Sequence, residues 1–214
     1  MPGYNDVCNM GLMRIGHQDQ VQDILTEKTT AAMACNAIYE QSRDTVLRAH
    51  NWGFAKVNAP LALLATDAPT NWAYAYAYPA DCLMVRSIVM EGSRYPDSAS
   101  AIPYEIQNVG GVKAIVTDQM NASVIYTCRV EDLNLWDPLA ISALAYLIGS
   151  EVAMPLAIQS QLATSARQGY AQALMAAAGA DANENQQGPL PDCEFIRARG
   201  LIPDPWSYPG FPRY

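Results

Sequence analysis

Residues 72–78, Trp-Ala-Tyr-Ala-Tyr-Ala-Tyr, alternate strictly between an aromatic side chain and alanine. Because successive side chains of a strand point to opposite faces, this pattern predicts a β-strand with every aromatic ring on one face. Such a face usually packs against other elements, although aromatic rings also stack on bases or sugars. We favour packing, since the chain carries a net charge of −8 and nucleic-acid binding needs basic residues.

Further strands are predicted after this segment, at residues 82–90 and 123–130. Residues 104–109 and 112–117 flank Gly110-Gly111 and predict a hairpin. Residues 57–131 are therefore interpreted as an antiparallel β-region inserted between two helical parts.

The helical part before the β-region is predicted to hold two helices. The first begins at the N-cap Asn5 and ends at Gly16. The second runs from about Thr30 to His50, with Arg43 among the charged residues of its solvated side.

After the β-region, Asp137-Pro138 suits an N-cap followed by the first turn of a helix. Pro155 should divide the next stretch into two helices, and Gly179 should end the second. The predicted fold class is α+β, with residues 1–56 and 132–180 forming one helical-bundle core from both chain ends.

Residues 181–214 lose this periodicity and contain six prolines together with several aromatic side chains. Prolines exclude a continuous helix or a central strand, whereas a disordered tail is usually poor in aromatic residues. We therefore expect an extended arm that docks on a partner, with packing on its own core as the alternative.

Composition narrows the classes of function. Only 16% of residues are charged, against about 25% in an average protein, and half are hydrophobic. The acidic balance argues against a protein that coats nucleic acid, and the uncharged helical run at residues 138–150 is too short to span a membrane. We therefore expect that part of the apolar surface of this chain is buried in subunit interfaces.

Few residue sets suit catalysis. The five cysteines form no Cys-x-x-Cys motif, and Cys35 and His50 would lie more than about 20 Å apart on one helix. His50 is interpreted as a helix cap near the last carbonyls, with Trp52 and Phe54 closing the core. No cofactor, metal or catalytic residue is predicted.

An acidic cluster of Glu131, Asp132 and Asp137 leaves one catalytic alternative open. Paired carboxylates hydrolyse glycosides when they face one cleft at a fixed separation. Helix capping by Asp137 and a solvated turn explain the same residues more simply.

The order of several segments resembles the tail tubular protein A family, the head-to-tail adaptor or gatekeeper ring of short-tailed phages. The resemblance covers about residues 5–184, although Gly53 stands where a polar residue is expected and the segment after Glu184 has no counterpart. The segments that carry it are residues 50–55 (His-Asn-Trp-Gly-Phe-Ala), 72–76, 78–83 (Tyr-Pro-Ala-Asp-Cys-Leu), 85–88 (Val-Arg-Ser-Ile), 136–139 (Trp-Asp-Pro-Leu) and 181–184 (Asp-Ala-Asn-Glu).

The resemblance implies a structural virion protein of the head–tail junction, assembled in the host cytoplasm. It implies a homo-oligomeric ring, usually a dodecamer, between the portal protein and the tail nozzle protein, with tail fibres as a further contact. Genomic DNA would pass through the channel without specific binding, and no membrane would be involved.

Two sets of residues are candidates for subunit or partner contacts. The first lies on the last, almost uncharged helix, and the second supplies arginines and aromatic anchors to the arm. The candidates are Ala163, Ala166, Tyr170 and Ala173 on the helix, and Arg197, Arg199, Trp206, Tyr208, Phe211, Arg213 and Tyr214 on the arm. Alternative functions are a tail-associated hydrolase that uses acidic residues such as Glu131 and Asp137, and a soluble oligomeric binding module.

Overall fold

The computed structural model describes residues 3–90 and 101–184, and it confirms the α+β class. Four helices accompany two small antiparallel sheets. The helices are α1 (Tyr4–Arg14), α2 (Thr30–Ala49), α3 (Pro138–Val152) and α4 (Ser160–Glu184). The strands are β1 (Lys56–Pro60), β2 (Tyr74–Ala77), β3 (Cys82–Met90), β4 (Tyr104–Val109), β5 (Val112–Thr117) and β6 (Ala122–Cys128).

The start of α3 follows the predicted capping chemistry, whereas the start of α1 does not. The Asp137 side chain accepts a hydrogen bond of 2.6 Å from the Leu139 amide, so α3 begins as predicted. The predicted N-cap Asn5 is wrong, because Gly3 is the N-cap and Asn5 already lies within α1. Asn5 Oδ1 instead accepts from the Ile24 amide at 3.1 Å and holds the loop between α1 and α2.

The break between α3 and α4 is confirmed, but the predicted stop at Gly179 is wrong. Helix α4 continues to Glu184 and thus includes residues 181–184, which the sequence pattern assigns to the arm. Ala177 and Asp181 lie on either side of Gly179 and are both buried, so tertiary contacts hold the helix through the glycine.

Helix α3 is the centre of the helical core. It packs against α1, α2 and α4, and most of its side chains are buried. Gly11 of α1 and Gly149 of α3 face each other so closely that a Cβ on Gly149 would lie 2.6 Å from the Gly11 carbonyl oxygen. Within residues 3–90 and 101–184, no helix is long and apolar enough to cross a membrane.

The β-region contains two three-stranded antiparallel sheets. Their strand orders are β1-β6-β3 and β2-β5-β4. The β4–β5 hairpin turns at Gly110 and Gly111, which both have positive φ. Strand β1 has no counterpart among the predicted strands, because its five residues, Lys-Val-Asn-Ala-Pro, show no alternation of aromatic or branched side chains.

Packing on both faces explains the alternating segment at residues 72–78. Tyr76 is only 3% exposed and packs with β3 and β6, which confirms the packing interpretation for this ring. Ala75 faces a second cluster with Ala114 and Val116. Trp72 packs with that second cluster, so the expectation that every aromatic lies on one face is wrong: β2 begins only at Tyr74.

Arg86 on β3 ties the β-region to the helical core. Its guanidinium donates to Thr127 Oγ1 at 2.9 Å and to the backbone carbonyls of Asn51 and Trp52 at 3.2 and 2.7 Å. Burial lowers the pKa of Arg86, while the nearby Asp181 carboxylate opposes that shift. One side chain therefore satisfies the carbonyls that follow α2 and fixes β3 beside them.

Candidate functional site

Three of the four predicted contact residues of α4 pack within the helical core. Ala166 is 2% exposed and belongs to the helical core, and Ala163 and Tyr170 pack against that core. Ala173 is half-buried. The assignment of this face to subunit contact is therefore corrected at Ala166, because the side chain is already covered within its own chain.

The opposite side of α4 is exposed and nearly uncharged, and we call it the outer α4 face. Arg167 is the only charged residue between Ser160 and Ala180, and its guanidinium lies 3.9 Å from Glu151. Met175 is 75% exposed among neutral polar and small neighbours. The outer α4 face comprises Gln161, Thr164, Ser165, Gln168, Ala171, Gln172, Met175 and Ala176.

Contacts with α3, which α1 supports from its other side, fix the position of α4. A Cβ on Gly169 would lie 2.6 Å from the ring of Tyr146, so only glycine allows this approach. The Arg14 guanidinium lies 3.5 Å from the centroid of the same ring and donates to Ser142 Oγ at 2.9 Å. The outer α4 face thus belongs to a helix whose inner side is closely packed against α3.

A cleft of about 660 Å³ lies between the start of α1, the middle of α2 and the turn that precedes α3. Tyr4 and Leu25, which are 39% and 65% exposed, give it an apolar wall. Tyr39 lies beside Tyr4 with the ring centroids 6.4 Å apart, and burial raises the pKa of Tyr39 to about 12. The cleft has an acidic rim formed by Glu40, Glu131 and Asp132.

Two arginines near the cleft, Arg43 and Arg129, form ion pairs with the same carboxylate, Asp44. The sequence predicts Arg43 on the solvated side of α2, but Arg43 is 6% exposed, and its Nε donates to Asp44 at 3.1 Å. Arg129 also binds Asp44, at 2.7 Å, and this hydrogen bond raises the pKa of Arg129. Arg43 lines the cleft, and its pairing with Asp44 explains why a charged residue is tolerated at this buried position.

The structure does not bring Glu131 and Asp137 together as a catalytic pair. Glu131 lines the cleft, whereas Asp137 is absent from its lining and caps α3. Asp132 accepts from the Asn134 amide at 2.9 Å and caps the short 3₁₀ turn Leu133–Leu135. The capping interpretation is confirmed for Asp137.

Cysteine contacts differ from the pairs considered in the sequence. Cys8 and Cys35 are both fully buried in the helical core, and the neighbouring Cys35 thiol together with burial raises the pKa of Cys8. Neither spacing nor motif indicates this contact, which joins α1 to α2. Among residues 3–90 and 101–184, no group of three or more potential ligands is placed to hold a metal ion.

No protein-family model matches the chain, and no curated protein matches it.

His50 is confirmed as the cap residue at the end of α2, but its imidazole contacts Asp181 of α4 instead of the last carbonyls. Trp52 is fully buried and stacks on Phe54 with the ring centroids 5.6 Å apart, as predicted for a core closure.

The predicted contact residues of the arm lie outside the described residues: Arg197, Arg199, Trp206, Tyr208, Phe211, Arg213 and Tyr214.

Proposed function

We propose that this chain is a structural virion protein, the subunit of a head-to-tail adaptor ring of the tail tubular protein A type. The ring joins the portal protein to the tail nozzle protein at the head–tail junction, and tail fibres are a further contact. The order of segments in the sequence supports this proposal, and the α+β architecture is compatible with it.

The observation that carries the proposal is the outer α4 face. Helix α4 has 25 residues, which corresponds to about 37 Å of continuous helix. Charged residues are depleted at the centres of protein interfaces, and a solvated helix face usually carries them. The neutral outer face of a helix this long is therefore suited to contact with an adjacent copy of the chain.

A closed ring requires that one surface of each subunit binds a different surface of the next. In our proposal the outer α4 face is one of these surfaces, and twelve-fold closure follows from the resemblance. The end of the arm, from Pro203 onward, contacts a neighbouring subunit, the portal or the nozzle. DNA passes through the channel without specific binding.

Particle imaging and native mass measurement of the full chain, alone and with portal protein, test the proposal. We expect closed rings in at least one of these conditions. The double variant Gln168→Arg/Gln172→Arg should leave the protein folded but block ring closure, because it places two unpaired charges in the interface. The matched control is Ala37→Arg/Gln41→Arg, which adds the same two charges at the same spacing on exposed positions of α2.

Two outcomes would contradict the proposal. A chain that stays monomeric with and without portal protein is not a ring subunit, and rings that form unchanged from the α4 double variant exclude the outer α4 face. Deletion from Pro203 onward tests the arm separately. We expect the truncated chain to fold normally and to fail in assembly, whereas a loss of monomer stability with normal assembly would place the arm on its own subunit.

A further inference from the structure

We propose that the cleft between α1, α2 and the turn before α3 binds residues 195–202 of its own chain, Phe-Ile-Arg-Ala-Arg-Gly-Leu-Ile. This inference does not rest on the proposed function. It concerns an intramolecular contact that would exist whether or not the chain forms a ring.

The cleft has a surplus of negative charge. Glu40, Glu131 and Asp132 form its rim, and none of these three carboxylates makes an ion pair with another of the described residues. Arg43 and Arg129 do not compensate for them fully, because both guanidiniums bind Asp44. The cleft is therefore suited to a ligand that brings its own positive charge.

The wall of the same cleft is apolar and accessible. Leu25 is 65% exposed and Tyr4 is 39% exposed, while Leu133, which also lines the cleft, is buried. A ligand that matches both surfaces combines large apolar side chains with arginines. Arginine is favoured over lysine at such a rim because its planar fork binds carboxylates through two parallel hydrogen bonds.

Residues 195–202 have this combination. Arg197 and Arg199 are the only charged residues in the segment, and Phe195-Ile196 and Leu201-Ile202 flank them. The apolar pairs match the apolar wall of the cleft, and the two arginines match the acidic rim. The remainder of the chain after residue 184 has one other arginine, Arg213.

The distances favour the segment of the same chain over that of a second copy. Asp181 accepts from the Gly53 amide at 2.8 Å, so the end of α4 lies beside the end of α2. Tyr39 precedes His50 by eleven residues, which corresponds to about 16 Å along α2. The ten residues 185–194 can span up to about 33 Å when extended, which is longer than this distance. Binding is then intramolecular, at an effective concentration on the order of millimolar.

Disulfide trapping in the full chain tests the proposal. Cys193 lies two residues before the segment, and Leu25→Cys places a partner thiol on the cleft wall. Diamide oxidises the pair: the two thiols lose two protons and two electrons to the reagent, and one S–S bond forms. Non-reducing electrophoresis and peptide mass mapping then distinguish a link within one chain from a link between two chains.

The matched control is Met175→Cys, which is also exposed, lies outside the cleft and is nearer to Cys193 in the sequence. We expect Leu25→Cys to form the intrachain link with Cys193 in clear excess over Met175→Cys. Adding Arg197→Glu and Arg199→Glu should lower the yield about fivefold or more, the range expected for two exposed ion pairs. Adding Glu131→Arg to that variant should restore part of the yield.

Three results would overturn the inference. A link between two chains assigns the cleft to the segment of a second copy. Equal yields from Leu25→Cys and Met175→Cys show that the cleft has no preference for the segment. A yield that is unchanged by reversal of both arginines shows that the acidic rim does not recognise them.

Discussion

The imidazole Nε2 of His50 lies 3.3 Å from Oδ2 of Asp181, and this contact joins the end of α2 to the last turns of α4. The other carboxylate oxygen of Asp181 accepts from the Gly53 amide at 2.8 Å. The His50 ring also meets Trp52 edge-on, with the centroids 4.8 Å apart. Asp181 thus fixes α4 against the chain that leads into the β-region.

Replacement of this carboxylate should destabilise the fold. Asp181→Ala leaves the Gly53 amide without its acceptor, and we expect a loss of about 1–3 kcal/mol in the free energy of unfolding. Asp181→Asn retains an acceptor for Gly53 and should cost less. Urea denaturation measures both, with Asp118→Ala as the control: Asp118 accepts one backbone amide, that of Ala73, at an exposed site. Equal losses at both positions would contradict this account of Asp181.

The close approach of α1 and α3 gives a second prediction. Gly149→Ala places a Cβ 2.6 Å from the Gly11 carbonyl oxygen. Because both groups belong to helix backbones, the clash is relieved only if α1 and α3 move apart. We expect a loss of about 1–3 kcal/mol in urea denaturation. Gly179→Ala meets no atom within 4 Å in α4 and should gain about 0.5–1 kcal/mol, because alanine favours the helix. A stabilising Gly149→Ala would show that the two helices have room to spare.

The pKa of Tyr39 predicts a loss of stability at alkaline pH. Burial raises this pKa from an ordinary value near 10 to about 12 in the folded chain. The stabilising contribution is present in full below pH 10 and is lost as the pH rises to about 12, because only the unfolded chain releases the proton there. Thermal unfolding between about pH 8 and 12 should show a smaller loss for Tyr39→Phe. Parallel curves for both proteins would refute the assignment.

Weak interaction with DNA is the fourth prediction. The net charge of −8 gives the chain few sites for phosphate, and most described arginines have carbonyl, hydroxyl or carboxylate partners within the fold. In a gel-shift assay at physiological salt we expect no complex between the isolated protein and duplex DNA. The assay is repeated at low salt to separate weak electrostatic attraction from binding. A tight complex at physiological salt would contradict a channel that lets DNA pass freely.

Local patterns predict the regular elements well. The bounds of β3, β4 and β5 agree with the sequence patterns. Side-chain alternation and the Gly110-Gly111 turn are local signals, and strand pairing in the fold does not shift the bounds that they predict. The start of α3 is equally local, since Asp137 accepts from the Leu139 amide two residues on and Pro138 occupies the first helical position. The start of α1 is not: Asn5 has the side chain of a cap but binds a distant loop.

Features that depend on distant contacts are not predictable in this way. Arg43 lies on the predicted polar side of α2, yet it is buried in the wall of the cleft, where its pairing with Asp44 makes the charge tolerable. Gly179 is of the residue type that usually ends a helix, yet α4 continues to Glu184 because the contacts of Asp181 stabilise the turn after it. The cleft itself combines three segments that are far apart in the sequence, so no motif marks it.

The β-region leaves and rejoins the helical core through strands that pair with each other. Lys56 at the start of β1 lies opposite Thr127 near the end of β6, and the Cys128 amide donates to the Ala55 carbonyl at 2.9 Å. Entry and exit thus occupy one place on the core, at a spacing that a hairpin also provides. A module of different length fits between these two positions if it supplies donors to the Asn51 and Trp52 carbonyls in place of Arg86. The β-region is therefore exchangeable as one unit at a single position on the helical core.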